Sequence, residues 1–182
     1  MKISIVCGSP RQASLTRVLT GLAHDYAKSK FSESEVQHFD LGMTPIEPFR
    51  GFEEKYNQVT LDAIQTVSSS DVLILGAPVY DGLVSSCLKN LFEHINYKAL
   101  ENKVAGFIVH SAGPISSLQV QGQLVALMNY FRVFSNPRAV FTYRDQHFDK
   151  EKRVLTDKGV EERVQRLVEE TVELAGRIFA KN

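Results

Sequence analysis

The chain has 182 residues, 43% of them hydrophobic and 23% charged, which predicts one globular domain, residues 1–182, with an ordinary core. Lys+Arg and Asp+Glu each total 21, so no basic excess draws the chain to nucleic acid or anionic lipid, and no acidic surplus marks a small electron carrier. The two cysteines, Cys7 and Cys87, give neither a disulfide framework nor a zinc spacing.

The opening stretch MKISIVCGSP turns polar too soon for a signal peptide, and no run nears ~18 apolar residues. A cytoplasmic location is therefore expected. In chain order, KISIVC (Lys2–Cys7) is a continuous apolar run, as in a strand buried on both faces. Ser14–Lys28 has helical spacing, and Glu35–Leu41 alternates as a second strand. The stretch 42–56, with Pro45, Pro48 and Gly51, reads as loop, and Asn57–Ser69 as helix. DVLILGAPVY (Asp71–Tyr80) is the strongest strand signal, with Pro78 expected to stop it.

Leu83–His94 is expected to be helical, with Leu88, Leu91, Phe92 and Ile95 as its apolar stripe. Lys103–Gly113 is a fourth strand ending in small residues, Ser116–Phe131 a helix, Arg138–Arg144 a fifth strand, and Thr156–Ala180 a long charged helix. Strands alternating with helices predict an α/β fold: a parallel sheet covered on both faces. Five strands suggest a three-layer α/β/α sandwich of order 2-1-3-4-5. Ligands of such sheets sit at the carboxyl ends of the strands, where the order reverses. That points to the loops after the first, third and fourth strands.

The first loop, CGSPRQASLT (Cys7–Thr16), has the makings of an anion cradle. Gly8 permits a tight turn, Ser9, Ser14 and Thr16 carry hydroxyls, and Arg11 carries charge. The helix that follows presents unpaired amides. The plainer alternative makes Ser14 an N-cap and Gly8-Ser9-Pro10 a simple turn. A nucleotide P-loop is excluded, since no Gly-Lys-Ser/Thr occurs, and the dinucleotide fingerprint fails because only Gly8 is present. A tyrosine-phosphatase loop needs a longer reach from cysteine to arginine. Here only Gly8, Ser9 and Pro10 separate Cys7 from Arg11, so Cys7 is expected to close a buried strand as a small apolar residue.

In the other two loops, Tyr80 offers a flat face, Asp81-Gly82 reads as a turn between strand and helix, and HSAG (His110–Gly113) as a helix entry. His110 alone reads as a core or rim histidine. His94, placed in a helix, and His147, placed in a polar loop, show no partner in sequence.

Taken together, GSPRxxSxT, PVYxxxxxxxLKNL and the small-residue turn after the fourth strand resemble the NADPH-dependent FMN reductases, flavodoxin-like reductases of quinones, azo dyes and flavins. The likeness runs from about Ile3 to Phe141. PVY followed by LK, and ALENKV before the fourth strand, are similar to the FMN reductases that supply alkanesulfonate monooxygenases. The resemblance implies bound FMN. NADPH or NADH would pass hydride to flavin N5, for onward transfer to a flavin, quinone or azo acceptor. A flavodoxin-type carrier without NAD(P)H activity, or less plausibly a phosphate-binding hydrolase, is the alternative.

By position, the resemblance puts the phosphate contacts on Ser9, Arg11, Ser14, the Leu15 backbone and Thr16. It puts the ring contacts on Pro78, Val79, Tyr80, Asp81 and Gly82, and on Ser111, Ala112 and Gly113. It implies no metal and no catalytic side-chain acid; Tyr80 and Gly82 orient the ring, and backbone donors near Gly113 stabilise charge on it. It also implies a homodimer or homotetramer, with Leu83–Ile95 as a candidate contact, and a flavin-dependent monooxygenase as a candidate partner. Two departures stand out: PVYDGL where many members have P-E-Y-N-G-S, and Ala112-Gly113 where many have Gly-Gly. Asp81 would bring a carboxylate near the flavin.

Overall fold

The computed structural model describes residues 1–149 and 151–180. Its elements are β1 (Lys2–Cys7), α1 (Leu15–Lys30), β2 (Glu35–Asp40), α2 (Gln58–Ser68), β3 (Val72–Tyr80), β4 (Leu83–Val84) and α3 (Ser86–Glu93). After a short 3₁₀ turn (Tyr97–Leu100) follow β5 (Val104–Ser111), α4 (Pro114–Tyr130), β6 (Phe134–Tyr143), β7 (Phe148–Asp149), β8 (Val154–Leu155) and α5 (Lys158–Phe179).

The long strands are all parallel, in the order β2-β1-β3-β5-β6, with the short β4 turned back antiparallel onto β3. Leaving β4 aside, this is the expected order 2-1-3-4-5. The apolar runs follow from position. β1 and β3 lie inside the sheet and are buried almost end to end, whereas the edge strand β2 is only half-buried.

Alternate residues of one strand serve opposite layers. Leu73, Leu75 and Ala77 of β3 pack with Ala63 and Val67 of α2, Leu88, Leu91 and Phe92 of α3, and Leu124 and Met128 of α4. Val72 and Ile74 face the other way, onto Leu19 and Ala23 of α1 and Val164, Leu167 and Val168 of α5. The apolar stripe of α3 is therefore used within the chain: Leu88 and Leu91 are fully buried, and Phe92 and Ile95 nearly so.

Several expected boundaries move. Pro78 does not stop β3, which continues to Tyr80. β1 has ended by then, at the Cys7–Gly76 register, so β3 is an edge on that side and the missing proline N–H breaks no ladder bond. The segment expected to begin a helix at Leu83 first forms a hairpin, Val79 opposite Val84 and Tyr80 opposite Leu83. Its turn is Asp81-Gly82, with φ of 51° and 75°, the positive values a two-residue hairpin turn requires. α3 starts only at Ser86, capped by Ser85.

β6 begins at Phe134, four residues before the expected Arg138, because a register shift opposite Ala105–Phe107 interrupts its alternation. Asn136 pins that irregularity, donating to Thr171 of α5 (3.0 Å). The hairpin β7–β8 has no counterpart among the expected elements. His147 does have a partner, the Asp157 carboxylate at 2.7 Å.

Gly106 lies within this register shift. A Cβ there would fall 2.7 Å from the Thr171 hydroxyl and 3.1 Å from Ile74 Cδ1. Gly106→Ala is expected to lower stability by about 1–3 kcal/mol through overpacking, read as a lower urea midpoint at constant slope. An unchanged midpoint would mean that α5 yields without penalty.

Candidate functional site

The chain leaves β1 at Cys7 and is clamped at once. The Gly8 amide donates to the Gly76 carbonyl (2.8 Å), and the Gly8 carbonyl accepts from the Ser85 hydroxyl (2.5 Å) and the Cys87 thiol (3.0 Å). A Cβ on Gly8 would lie 2.8 Å from the Gly76 carbonyl oxygen and 3.0 Å from Leu88 Cβ. Gly8 is thus required by close packing against β3 and α3. Cys7 is fully buried, and burial pushes its thiol up to about 11. A neutral, enclosed thiol is no nucleophile, which weighs against the hydrolase reading.

Beyond Gly8 the loop is braced by Arg17, in the first turn of α1. Its guanidinium pairs with Asp40 at the end of β2 and donates to the carbonyls of Arg11 (3.1 Å) and Gln12. Burial pushes the Asp40 carboxyl up, but Arg17 and the Gly42 and Met43 amides outweigh this and hold it below its ordinary value. In a trans peptide the carbonyl and the following N–H point opposite ways. Drawing two carbonyls to Arg17 therefore turns the Gln12 and Ala13 amides to the other side.

There lies a cavity of about 480 Å³, within the ordinary range for small-molecule sites. From the first loop Ser9, Arg11, Ser14, Leu15 and Thr16 line it; from the second, Pro78, Val79 and Tyr80; from the third, Ser111 and Ala112. Ser14 is indeed the N-cap of α1, its oxygen accepting from the Arg17 amide (3.3 Å). That leaves its hydroxyl proton to donate. Ser9 accepts from the Arg11 amide (3.4 Å) and approaches the Tyr80 hydroxyl (3.5 Å). The Thr16 hydroxyl is buried with no hydrogen-bond partner, although a buried hydroxyl ordinarily has one.

Three of the expected residues lie outside the cavity wall. Asp81 and Gly82 form the tip of the β3–β4 hairpin, held to α4 by Gln123, which donates to the Gly82 carbonyl (3.1 Å) and accepts from the Val84 amide (2.9 Å). Gly113 is the N-cap of α4 and makes no side-chain cap bond. The Ser111 hydroxyl there takes the Gly113 amide (3.2 Å) and meets Ser117 (2.6 Å), so it is engaged in closing the helix start.

The fourth side of the wall is His110 of β5, expected as a core or rim histidine, together with Arg144, Asp145, Phe148, Asp149 and Arg153 from the segment after β6, which no sequence pattern marked. Parallel pairing of Ser111 with Tyr143 brings the carboxyl end of β6 to the same edge. The topological rule therefore extends to this loop too. His110 Nδ1 meets the Thr142 hydroxyl (2.9 Å), and its ring stands edge-on to Phe148. Burial, with Arg11 and His147 nearby, pushes His110 down to about 4.

His110 is neutral in the fold near pH 7. Below 6.5 the unfolded chain takes up a proton there that the folded chain refuses until about 4, so stability falls across that window as the pH drops. Replacing His110 with Gln is expected to flatten this part of the stability–pH curve, measured by urea unfolding without added ligand. The same slope in the variant would place the titration elsewhere.

Comparison with known proteins fits this geometry. The family model for NADPH-dependent FMN reductase matches residues 1–147. A relative from Geobacillus thermodenitrificans (strain NG80-2), an NAD(P)H-dependent FAD/FMN reductase, is 35% identical over 149 residues, 81% of this chain and 80% of that protein. An FMN-dependent NADPH-azoreductase of Staphylococcus aureus (strain USA300) is 32% identical over 122 residues, 64% of each chain. Among solved structures, the apo form of the NADH:FMN oxidoreductase EMOB superposes with a TM-score of 0.78 at 20% identity, covering 93% of this chain and 87% of its own. FerB, an NAD(P)H:(acceptor) oxidoreductase from Paracoccus denitrificans, superposes with a TM-score of 0.77 at 17% identity over 97% of both chains. The structural likenesses establish the flavodoxin-like α/β fold. The match across the sheet and all three expected loops settles the lineage: the chain belongs to the NADPH-dependent FMN reductase family.

Proposed function

We propose that the cavity holds FMN with its phosphate on the Ser9–Thr16 loop, and that this is where the chain carries out the NAD(P)H-dependent flavin reduction of its family. The observation that carries the assignment is the Thr16 hydroxyl, buried and without a partner in the cavity wall. It stands beside the Leu15 and Thr16 amides, which a helix start leaves without intrahelical acceptors, and beside Arg11. Such a set of donors suits a dianion without a metal.

Bound FMN supplies the hydride and electron chemistry itself. The chain's part is to hold and orient. Tyr80, Pro78 and Val79 give a firm wall, since β4 and Gln123 tie the β3 end to α4. Ala112 lines the opposite side, and the α4 amides near Gly113 favour negative charge. Asp81 sits at the tip of the β3–β4 hairpin and is not among the residues that line the cavity.

The final acceptor is proposed to be a small molecule such as a flavin, quinone or azo compound, or a flavin-dependent monooxygenase drawing on reduced flavin. A cytoplasmic location agrees with two unpaired cysteines, Cys7 and Cys87. No helix of the described residues is long and apolar enough to cross a membrane. Self-association as a homodimer or homotetramer is proposed through a different face from α3, whose stripe is buried in the core. Ile115 and Leu118 on α4, and Leu83 on β4, are 75%, 60% and 58% exposed beside the site.

Anaerobic mixing of the FMN-loaded protein with NADPH is expected to bleach the flavin absorbance faster than free FMN under the same conditions; no acceleration would contradict the reading. Arg11→Ala and Thr16→Val are each expected to weaken FMN binding by about 1–3 kcal/mol, measured by flavin fluorescence quenching. Unchanged FMN affinity in both would remove the phosphate from this loop.

A further inference from the structure

The cavity carries more positive charge than one phosphate requires. The first loop already brings Arg11, the hydroxyls of Ser9, Ser14 and Thr16, and helix-start amides to one side. The opposite wall adds Arg144 and Arg153, in a chain whose positive and negative side chains balance at 21 each. Two carboxylates share that wall. Asp149 is engaged by the Glu151 and Lys152 amides (2.9 and 2.8 Å), closing the β7–β8 turn. Asp145 is likewise engaged. Neither arginine forms an ion pair with a carboxylate of the described residues.

Both arginines are set in place by their backbones. Arg144 has φ of 49° and Arg153 φ of 52°, the left-handed region that favours glycine or asparagine. Such conformations persist where the surroundings enforce them. The Arg144 amide donates to the Ser111 carbonyl (2.8 Å) and its Nε to the Ala112 carbonyl (3.2 Å). One N–H thus ties the guanidinium to the loop after β5, and its two terminal nitrogens remain for a ligand. The Arg153 amide donates to the Asp149 carbonyl (2.8 Å), fixing where its side chain leaves the hairpin.

A guanidinium presents paired donors matched to phosphate oxygens. A second nucleotide must reach this same cavity for the reaction to occur, and it carries a diphosphate. We propose that Arg144 and Arg153 dock the phosphates of the NAD(P)H donor, across the cavity from the loop that holds the FMN phosphate. This rests on the FMN assignment above, and it names the donor site that no sequence motif marks. A nucleotide diphosphate has one other source in this chemistry, the adenine half of FAD, and the experiment separates the two.

The test uses the FMN-loaded protein with Arg144 and Arg153 both changed to Ala. The NADPH concentration giving half-maximal anaerobic bleaching is expected to rise about tenfold or more, while FMN affinity stays within about twofold. Arg144→Lys, which keeps charge without the paired donors, is expected to restore only part of the loss. An unchanged half-maximal concentration overturns the inference. So does a loss confined to FAD affinity, or a matching loss of FMN affinity, which would make these arginines flavin ligands. Should the double variant fail to fold, Arg153→Ala, at an exposed turn, gives the same readout. A wild-type protein that NADPH does not bleach overturns the FMN reading instead, so the two failures are distinguishable.

Discussion

The site depends on where two carbonyl groups point. An anion is repelled by carbonyl oxygens and held by amides, so a loop can cradle a phosphate only if its carbonyls are turned away. Arg17 does this, drawing in the carbonyls of Arg11 and Gln12 while Asp40 neutralises its charge. The pair is largely shielded from solvent, with 22% and 12% of the two side chains exposed, so its attraction is less screened than that of a surface pair, against a desolvation cost that the Gly42 and Met43 amides help to offset. It also joins α1 to the end of β2, so the shape of the loop is set by the sheet. Gly8, locked onto Gly76 and Ser85, fixes the other end.

From that constraint the rest of the site follows. With carbonyls removed from one side, what faces the cavity is a set of donors: the Thr16 hydroxyl, the Ser14 hydroxyl, the helix-start amides and Arg11. The β3–β4 hairpin and the loop after β5 supply less polar walls, stiffened by Gln123 and Ser111. A neutral His110 adds a polar edge without adding charge. Cys7, at the head of the loop, is buried and protonated, and burial also pushes up the Cys87 thiol that donates to the Gly8 carbonyl. The architecture suits holding a phosphate and presenting a ring, which is what a flavin reductase asks of its protein.

Much of this was legible in the sequence because the sheet is parallel and doubly covered. β1, β3 and β5 announce themselves as apolar runs, and Ser14 as a cap, since burial and capping act on neighbouring residues. The carboxyl-end rule then locates the loops. Tertiary effects left weaker traces. Arg17 looks like any charged residue of a first helical turn; only its pairing with Asp40, across two elements, reveals its part. Val79-Tyr80-Asp81-Gly82-Leu83-Val84 did carry a hairpin signal, an Asp-Gly between two apolar pairs, but the helical stripe that follows masked it. The β7–β8 hairpin, charged and too short for a period, had no pattern to read. Its place at the site comes from the parallel register of β5 and β6 alone.

The most direct test of the account compares FMN with riboflavin, which share the ring and ribityl chain and differ in the phosphate. Both would be titrated into the ligand-free protein with flavin fluorescence as the signal. If the loop is a phosphate cradle, FMN binds roughly a hundredfold more tightly or better, a few charge-assisted hydrogen bonds' worth of free energy. Equal affinity for the two flavins would contradict it.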